Sequence, residues 1–204
     1  SKIEAGRTEL NSVSFDLIYL LSILEQMLQL QAENKGLKLI FEIAGNVPQY
    51  VQTDECKLRQ VLLNLLGNAI KFTQKGRVTL RVRLGEEESC GCRGNPPGVA
   101  LEGQSTFPHS SVPISGCLLP ITFEIEDTGP GIGAEEVHRL FEPFSQTETG
   151  RKAMQGTGLG LAISRKFVQM MGGDIRVRTI LGQGSVFAFE IWVRSGNSIN
   201  SQTS

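Results

Sequence analysis

The sequence predicts an α/β protein: a two-layer sandwich whose mixed, mostly antiparallel sheet carries its helices on one face. Three observations lead there. Alternating apolar residues mark strands at 78–84, 121–126, 175–179 and 185–193, several of them adjacent in the chain. Segments 17–34 and 54–73 have the helical period and a broad apolar side, long enough to cover a sheet. Apolar residues make up 40% of the 204, which suffices for one large core. Runs of neighbouring strands favour a mixed sheet over a doubly wound parallel one.

The elements follow in order. Val13 and Phe15 alternate with Ser12, Ser14 and Asp16 as a short strand, and a helix then runs from Leu17 to about Asn34, stopped at Gly36. Leu37, Leu39, Phe41 and Ile43 alternate as a strand closed by Asn46-Val47-Pro48. Val51 marks a short strand before Asp54, the N-cap of a helix to about Thr73. After the strand at 78–84, residues 85–119 hold Gly, Pro, Ser and three cysteines with little periodicity, which predicts a loop insertion. The strand 121–126 leads into the turn 127–133 and a short helix at 134–140. A further helix opens at Gly156 and runs to about Met171, where Gly172-Gly173 ends it before the closing hairpin. The polar tail 195–204 reads as disordered, and residues 1–9 read as the end of a helix that begins before residue 1. The chain is thus expected to be a piece of a longer protein.

Composition narrows the function. Twenty basic and 21 acidic residues leave a formal charge of -1, so no global field favours nucleic acid or an anionic membrane. Any anion site must be local. No stretch reaches the ~20 apolar residues of a membrane span, and no leader pattern opens the chain. Four cysteines without an even framework fit a reducing compartment. Cys90, Cys92, Cys117 and His109 can be read as zinc ligands or as reduced loop residues, and Cys56 as a packing residue of its helix.

Four segments carry chemistry. Asn64, Asn68 and Lys71 share one helix face, amid Val61, Leu62, Leu65, Leu66, Ala69 and Ile70. A buried unpaired amide costs ~1–3 kcal/mol, so the stripe either meets a metal and phosphate or faces water. Asp127 ends a strand, and Gly129, Gly131 and Gly133 allow a sharp turn and a close ligand, so the carboxylate can accept from an exocyclic amine such as adenine's. The alternatives are an ordinary strand-exit turn or a dinucleotide fingerprint, which would have to open a parallel βαβ unit. Gly156, Thr157, Gly158, Leu159 and Gly160 stand at a helix start, where free N–H groups and the dipole favour an anion. No Gly-x4-Gly-Lys-Ser/Thr occurs, which excludes a P-loop. The polar stretch 145–155 predicts a lid hinged at Phe141 and Phe144, with Arg151 or Lys152 reaching a phosphate, or else a plain solvated loop.

In order and spacing these segments resemble the ATP-binding catalytic domain of sensor histidine kinases of the hybrid kind, a branch of the superfamily that includes gyrase and MutL. The resemblance covers residues 10–194. Asn64 to Thr73 looks like the asparagine box, 127–133 the first glycine box, 141–144 the phenylalanine box, 156–161 the second glycine box, and 181–187 the final Gly-x-Gly-Ser-x-Phe hairpin. It implies a Bergerat-type fold that binds ATP and Mg²⁺. Asp127 would then take the adenine amine, Gly131 lie under the base and Ser185 help through water. Asn68 with Asn64 would hold Mg²⁺, Lys71 would contact phosphate, and Gly158 and Gly160 would cradle it.

The resemblance further implies that residues 1–9 end the second helix of a dimerisation and phosphoacceptor domain. A receiver domain of a response regulator would act downstream, in a cytoplasmic and homodimeric parent with or without a membrane anchor. Gyrase-type relatives carry a Glu four residues before the metal-binding Asn; here that position is Asn64, so a base for hydrolysis is missing. No phosphoacceptor box occurs, since His109 lies in the insertion and His138 is followed by Arg-Leu-Phe. The expected reaction is therefore γ-phosphoryl transfer to a histidine outside this chain. A degenerate nucleotide-sensing docking module and a self-sufficient ATPase are the rival readings, and Lys57 replaces the Arg usual in the family.

Overall fold

A computed structural model describes residues 9–85, 118–144 and 158–196. The alternating segments form one sheet of seven strands: β1 (Val13–Asp16), β2 (Leu37–Ile43), β3 (Tyr50–Thr53), β4 (Gly76–Leu84), β5 (Leu118–Asp127), β6 (Ile175–Ile180) and β7 (Gly184–Ser195). The helices among the described residues are α1 (Leu17–Asn34), α2 (Glu55–Phe72), α3 (Ala134–Val137) and α4 (Gly160–Met170). The strand order is β1-β3-β7-β5-β4-β2, with β6 paired to β7. Among the described strands only β2 and β4 run parallel; the other pairs are antiparallel.

Carboxylates start the two long helices. Asp16 accepts from the Tyr19 N–H at 2.8 Å and Asp54 from the Lys57 N–H at 3.0 Å, satisfying donors that have no intrahelical partner. Burial pushes the Asp54 carboxyl up, but Lys57 and the Asn11 N–H outweigh it and hold the group below its ordinary value. At the other end of α2, the Lys35 ammonium donates to the carbonyls of Ile70 and Lys71 at 2.7 Å each and of Thr73 at 2.9 Å. A cation there complements both the orphan carbonyls and the negative end of the dipole.

The core lies between helices and sheet. Leu20, Leu24 and Leu28 of α1 and Leu58, Leu62 and Leu65 of α2 are buried with Leu80, Val82, Ile121, Phe123, Ile125, Phe189 and Ile191 from alternate strand positions. Each such side chain contributes roughly 1.5–3 kcal/mol when fully buried. Phe123 and Phe189, opposite each other on β5 and β7, stack with centroids 4.9 Å apart. The intervening positions are polar: Arg81 pairs with Glu42, Glu124 and Glu126 across three strands, and holds the Glu126 carboxyl below its ordinary value.

Four boundaries differ from expectation. Strand β5 starts at Leu118, so the insertion ends earlier than residue 119; residues 118–120 pair with β7, which outruns β4. Pro120 sits where β4 ends: its carbonyl accepts from the Gly85 N–H at 2.8 Å, and the reciprocal bond is the one proline cannot make. Helix α3 is one turn, and the chain to Leu140 continues in i to i−3 turns. Helix α4 begins at Gly160. Ser195 and Gly196, expected in the tail, belong to the sheet instead: Ser195 pairs with Val51, and the Gly196 N–H donates to the Tyr50 carbonyl.

Candidate functional site

Asp127 closes β5 on the side of the sheet that faces the helices, with 9% of its surface exposed. Its Oδ1 accepts from the Gly129 N–H at 2.8 Å. Burial pushes the carboxyl above its ordinary value; the backbone N–H groups of Gly129 and Ser185 pull the other way, and Glu126 adds to the push. A buried acceptor of this kind can take a hydrogen bond from a neutral donor such as an amine.

The glycine turn after Asp127 is held to the β6–β7 hairpin. Gly131 has φ +70°, and a Cβ there would overlap the Ile180 carbonyl, so both backbone and space require glycine. The Gly182 N–H donates to the Pro130 carbonyl at 2.7 Å and the Ile132 N–H to the Thr179 hydroxyl at 2.9 Å. Thr179 Oγ1 lies 3.0 Å from Ser185 Oγ, so the serine expected to work through water already has a protein partner. Sequence reasoning missed Thr179, whose alternation marked a strand and nothing more. Gly129 differs from Gly131: a Cβ there would lie 2.8 Å from Asp127 Oδ1 and 3.3 Å from Thr73 Oγ1. Space at the acid, not backbone geometry, requires that glycine. At Gly133 a Cβ would meet the movable carboxylate of Glu135. A separate groove of about 780 Å³ lies between the glycine turn, α3 and β6, lined by Gly131, Val137, Arg178 and Ile180 among others; it reaches neither Asp127 nor the asparagines.

The asparagines of α2 do meet. Asn68 Nδ2 lies 3.5 Å from Asn64 Oδ1, and Asn64 Nδ2 donates to the buried Ser164 hydroxyl of α4 at 2.9 Å. A Cβ on Gly160 would overlap Asn64 Oδ1, which explains one glycine of the second run by a protein contact. Asn64 is thereby engaged at both ends of its carboxamide, and Asn68 Oδ1 is the oxygen better placed for a cation. One turn on, the Lys71 ammonium stands 4.9 Å from the centroid of the Phe72 ring. Among the described residues no group of three His, Cys, Asp or Glu suits a metal ion. Carboxamide oxygens are the donors here, a set that fits Mg²⁺ when water completes its shell.

Helix α4 has no side-chain N-cap, and Gly158 and Leu159 precede it. The Phe144 N–H donates to the Gly158 carbonyl at 3.1 Å, and Phe144 itself is exposed with φ +63°. Phe141 lies under the Arg165 guanidinium, 5.0 Å from its ring centroid, while Asp174 binds Arg165 with two hydrogen bonds of 2.8 and 2.7 Å. Arg151, Lys152, Gly156 and Thr157 lie outside the described residues, as do Cys90, Cys92, His109 and Cys117. His138 is exposed at the end of α3, and Cys56, expected to pack, is exposed too. No helix among the described residues is long and apolar enough to cross a membrane.

Known proteins resemble the chain in sequence and in fold. Residues 53–195 match the family described as histidine kinase-, DNA gyrase B-, and HSP90-like ATPase. Hybrid signal transduction histidine kinase B of Dictyostelium discoideum is 37% identical over 192 residues, 94% of this chain and 8% of that protein. Aerobic respiration control sensor protein ArcB of Escherichia coli (strain K12) is 35% identical over 192 residues, 93% of this chain and 21% of that one. Full-length ShkA, solved in complex with AMPPNP, superposes with a TM-score of 0.68 at 30% identity, over 95% of this chain and 34% of that chain. The catalytic domain of histidine kinase ThkA shares the fold, with a TM-score of 0.60 at 23% identity over 93% of this chain and 99% of that one. The chain belongs to the histidine kinase-, gyrase B- and HSP90-like ATPase family, on its histidine kinase branch. It spans 8% and 21% of the two curated relatives named.

Proposed function

We propose that this domain binds ATP with Mg²⁺ and presents the γ-phosphoryl group to a histidine on a helical dimerisation and phosphoacceptor domain of the parent protein. The observation that carries the reading is Asp127: a buried carboxylate, oriented by backbone N–H groups, in a fold that also brings paired carboxamides to the start of α4. Asp127 accepts from the adenine amine. The positive end of the α4 dipole and the bare backbone of Gly158 and Gly160 face the phosphate oxygens, and Lys71 supplies a positive charge beside them.

Asn68 holds the metal through its oxygen, and Asn64, pinned by Ser164, orients Asn68. Bound Mg²⁺ would supply charge compensation on the phosphates. Gly156, Thr157, Arg151 and Lys152 complete the phosphate side. A neutral imidazole nitrogen attacks the γ-phosphorus, the bond to the bridging oxygen breaks, and ADP leaves. Asn64 stands where a hydrolytic relative has its base, and a carboxamide takes no proton from water. The phosphoryl group then passes to a receiver domain, and the parent acts as a homodimer in the cytoplasm.

A fluorescent ATP analogue titrated into the 204-residue chain tests the reading. Saturable, magnesium-dependent binding that is lost in Asp127→Asn and Asn68→Ala, without steady phosphate release, is the expected result. No saturable binding at millimolar nucleotide would overturn it.

A further inference from the structure

Thr73 follows α2 with its backbone fixed on both sides: its N–H donates to the Ala69 carbonyl at 3.1 Å and its carbonyl accepts from Lys35. Its side chain is 0% exposed, and among the described residues its hydroxyl has no hydrogen-bond partner. A buried hydroxyl left in this state is costly, and native folds keep few. The hydroxyl stands at the base of the acid site. One point, where a Cβ on Gly129 would lie, is 2.8 Å from Asp127 Oδ1, 3.3 Å from Thr73 Oγ1 and 3.5 Å from the Phe72 carbonyl. The carboxylate and the hydroxyl thus both close on the bare backbone of Gly129, where no side chain separates them. The other unpartnered hydroxyl, Thr79 Oγ1, alternates with Val78 and Leu80 and belongs to the opposite face of the sheet.

We propose that the Thr73 hydroxyl is a second base-reading group: it donates, directly or through one water, to a ring nitrogen flanking the amine that Asp127 accepts. This rests on the adenine reading above. An adenine edge presents its amine donor between two acceptor nitrogens, N1 and N7. A carboxylate can only accept, so it reads the amine and leaves those acceptors to a donor. Thr73 supplies one, and the ligand in turn satisfies a hydroxyl that the protein leaves unpaired.

Calorimetric titration of the 204-residue chain with Mg-ATP, 1-deaza-ATP and 7-deaza-ATP tests the assignment. Thr73→Val keeps the shape and removes the hydroxyl. It should weaken ATP binding about tenfold while leaving the nucleotide-free chain at least as heat-stable as the parent, since an unpaired polar group has been removed. Thr73→Ser should restore most of the affinity. Against the analogue that lacks the partner nitrogen, the Val penalty should vanish. Undiminished ATP binding by Thr73→Val, or a penalty that persists with both analogues, overturns the proposal. If Asp127→Asn abolishes binding while Thr73→Val does not, only the Thr73 assignment fails. If the parent chain takes up no Mg-ATP, the adenine reading fails and this assignment with it.

Discussion

The Asn64 carboxamide donates to the Ser164 hydroxyl at 2.9 Å, joining the polar stripe of α2 to the second turn of α4. Ser164 is buried and Asn64 half-buried, so the bond cannot be exchanged freely for water. Ser164→Ala should cost about 1–2 kcal/mol in urea unfolding, because it strands the Asn64 donor. The double variant with Asn64→Ala should cost less than the sum of the two singles. Strict additivity would mean that the bond contributes nothing.

Asp127 should make the free domain less stable as pH rises. Its folded-state pKa is raised above the ordinary 3.8, so between those two values the folded chain binds more protons than the unfolded one. Stability then falls as pH rises through that window. Asp127→Asn should remove this contribution and raise the melting temperature of the nucleotide-free chain at neutral pH, while abolishing its stabilisation by Mg-ATP. Melting curves of both chains from pH 3 to pH 8 check it; parallel pH profiles would contradict it. Asp54, Glu126 and Asp174 are shifted down and contribute in the opposite sense; Asp54 and Asp174 do so equally in both chains, while Glu126 also loses a like-charged neighbour in the variant.

Lys35 should matter more than an exposed lysine usually does. Its ammonium binds three carbonyls at the end of α2, and hydrogen bonds to a charged group are each stronger than neutral ones. Lys35→Met, which keeps most of the stem, should cost about 1–2 kcal/mol. Hydrogen exchange should quicken first at amides of the last turn of α2. A uniform change across the domain would speak against a local cap.

The glycines at 129 and 131 should separate binding from folding. Gly131→Ala meets a left-handed backbone and the Ile180 carbonyl, so it should lower stability by at least about 1 kcal/mol. Gly129→Ala meets no such backbone strain, but its methyl crowds Asp127 and Thr73. It should leave thermal stability within a few degrees and weaken nucleotide binding at least tenfold. Equal effects of the two changes on both measurements would refute the distinction.

Much of the fold was legible because strand and helix periods are local. Alternation at Val78, Leu80 and Val82 and the helical spacing of Leu58, Leu62 and Leu65 each report one buried face, and those residues are buried as read. Boundaries were less legible where a partner strand set the length. Pro120 hid the start of β5, which β7 supports, and Ser195 looked like tail until β3 paired with it. Thr73, Thr179 and Ser164 were passed over for a related reason: a threonine or serine in a regular element carries no mark of what it will face.

The sequence by itself determined the inventory: an acid at a strand end, two carboxamides and a lysine on one helix stripe, and glycines before a helix. Helical and strand geometry make those statements without any knowledge of neighbours. Only tertiary structure decided how the groups divide their work, because hydrogen bonding and steric fit join residues far apart in the chain. Ser164 engages Asn64 across 100 positions and leaves Asn68 as the freer oxygen. Gly160 is small because a carboxamide leans on it, and Gly129 because an acid and a hydroxyl share its space.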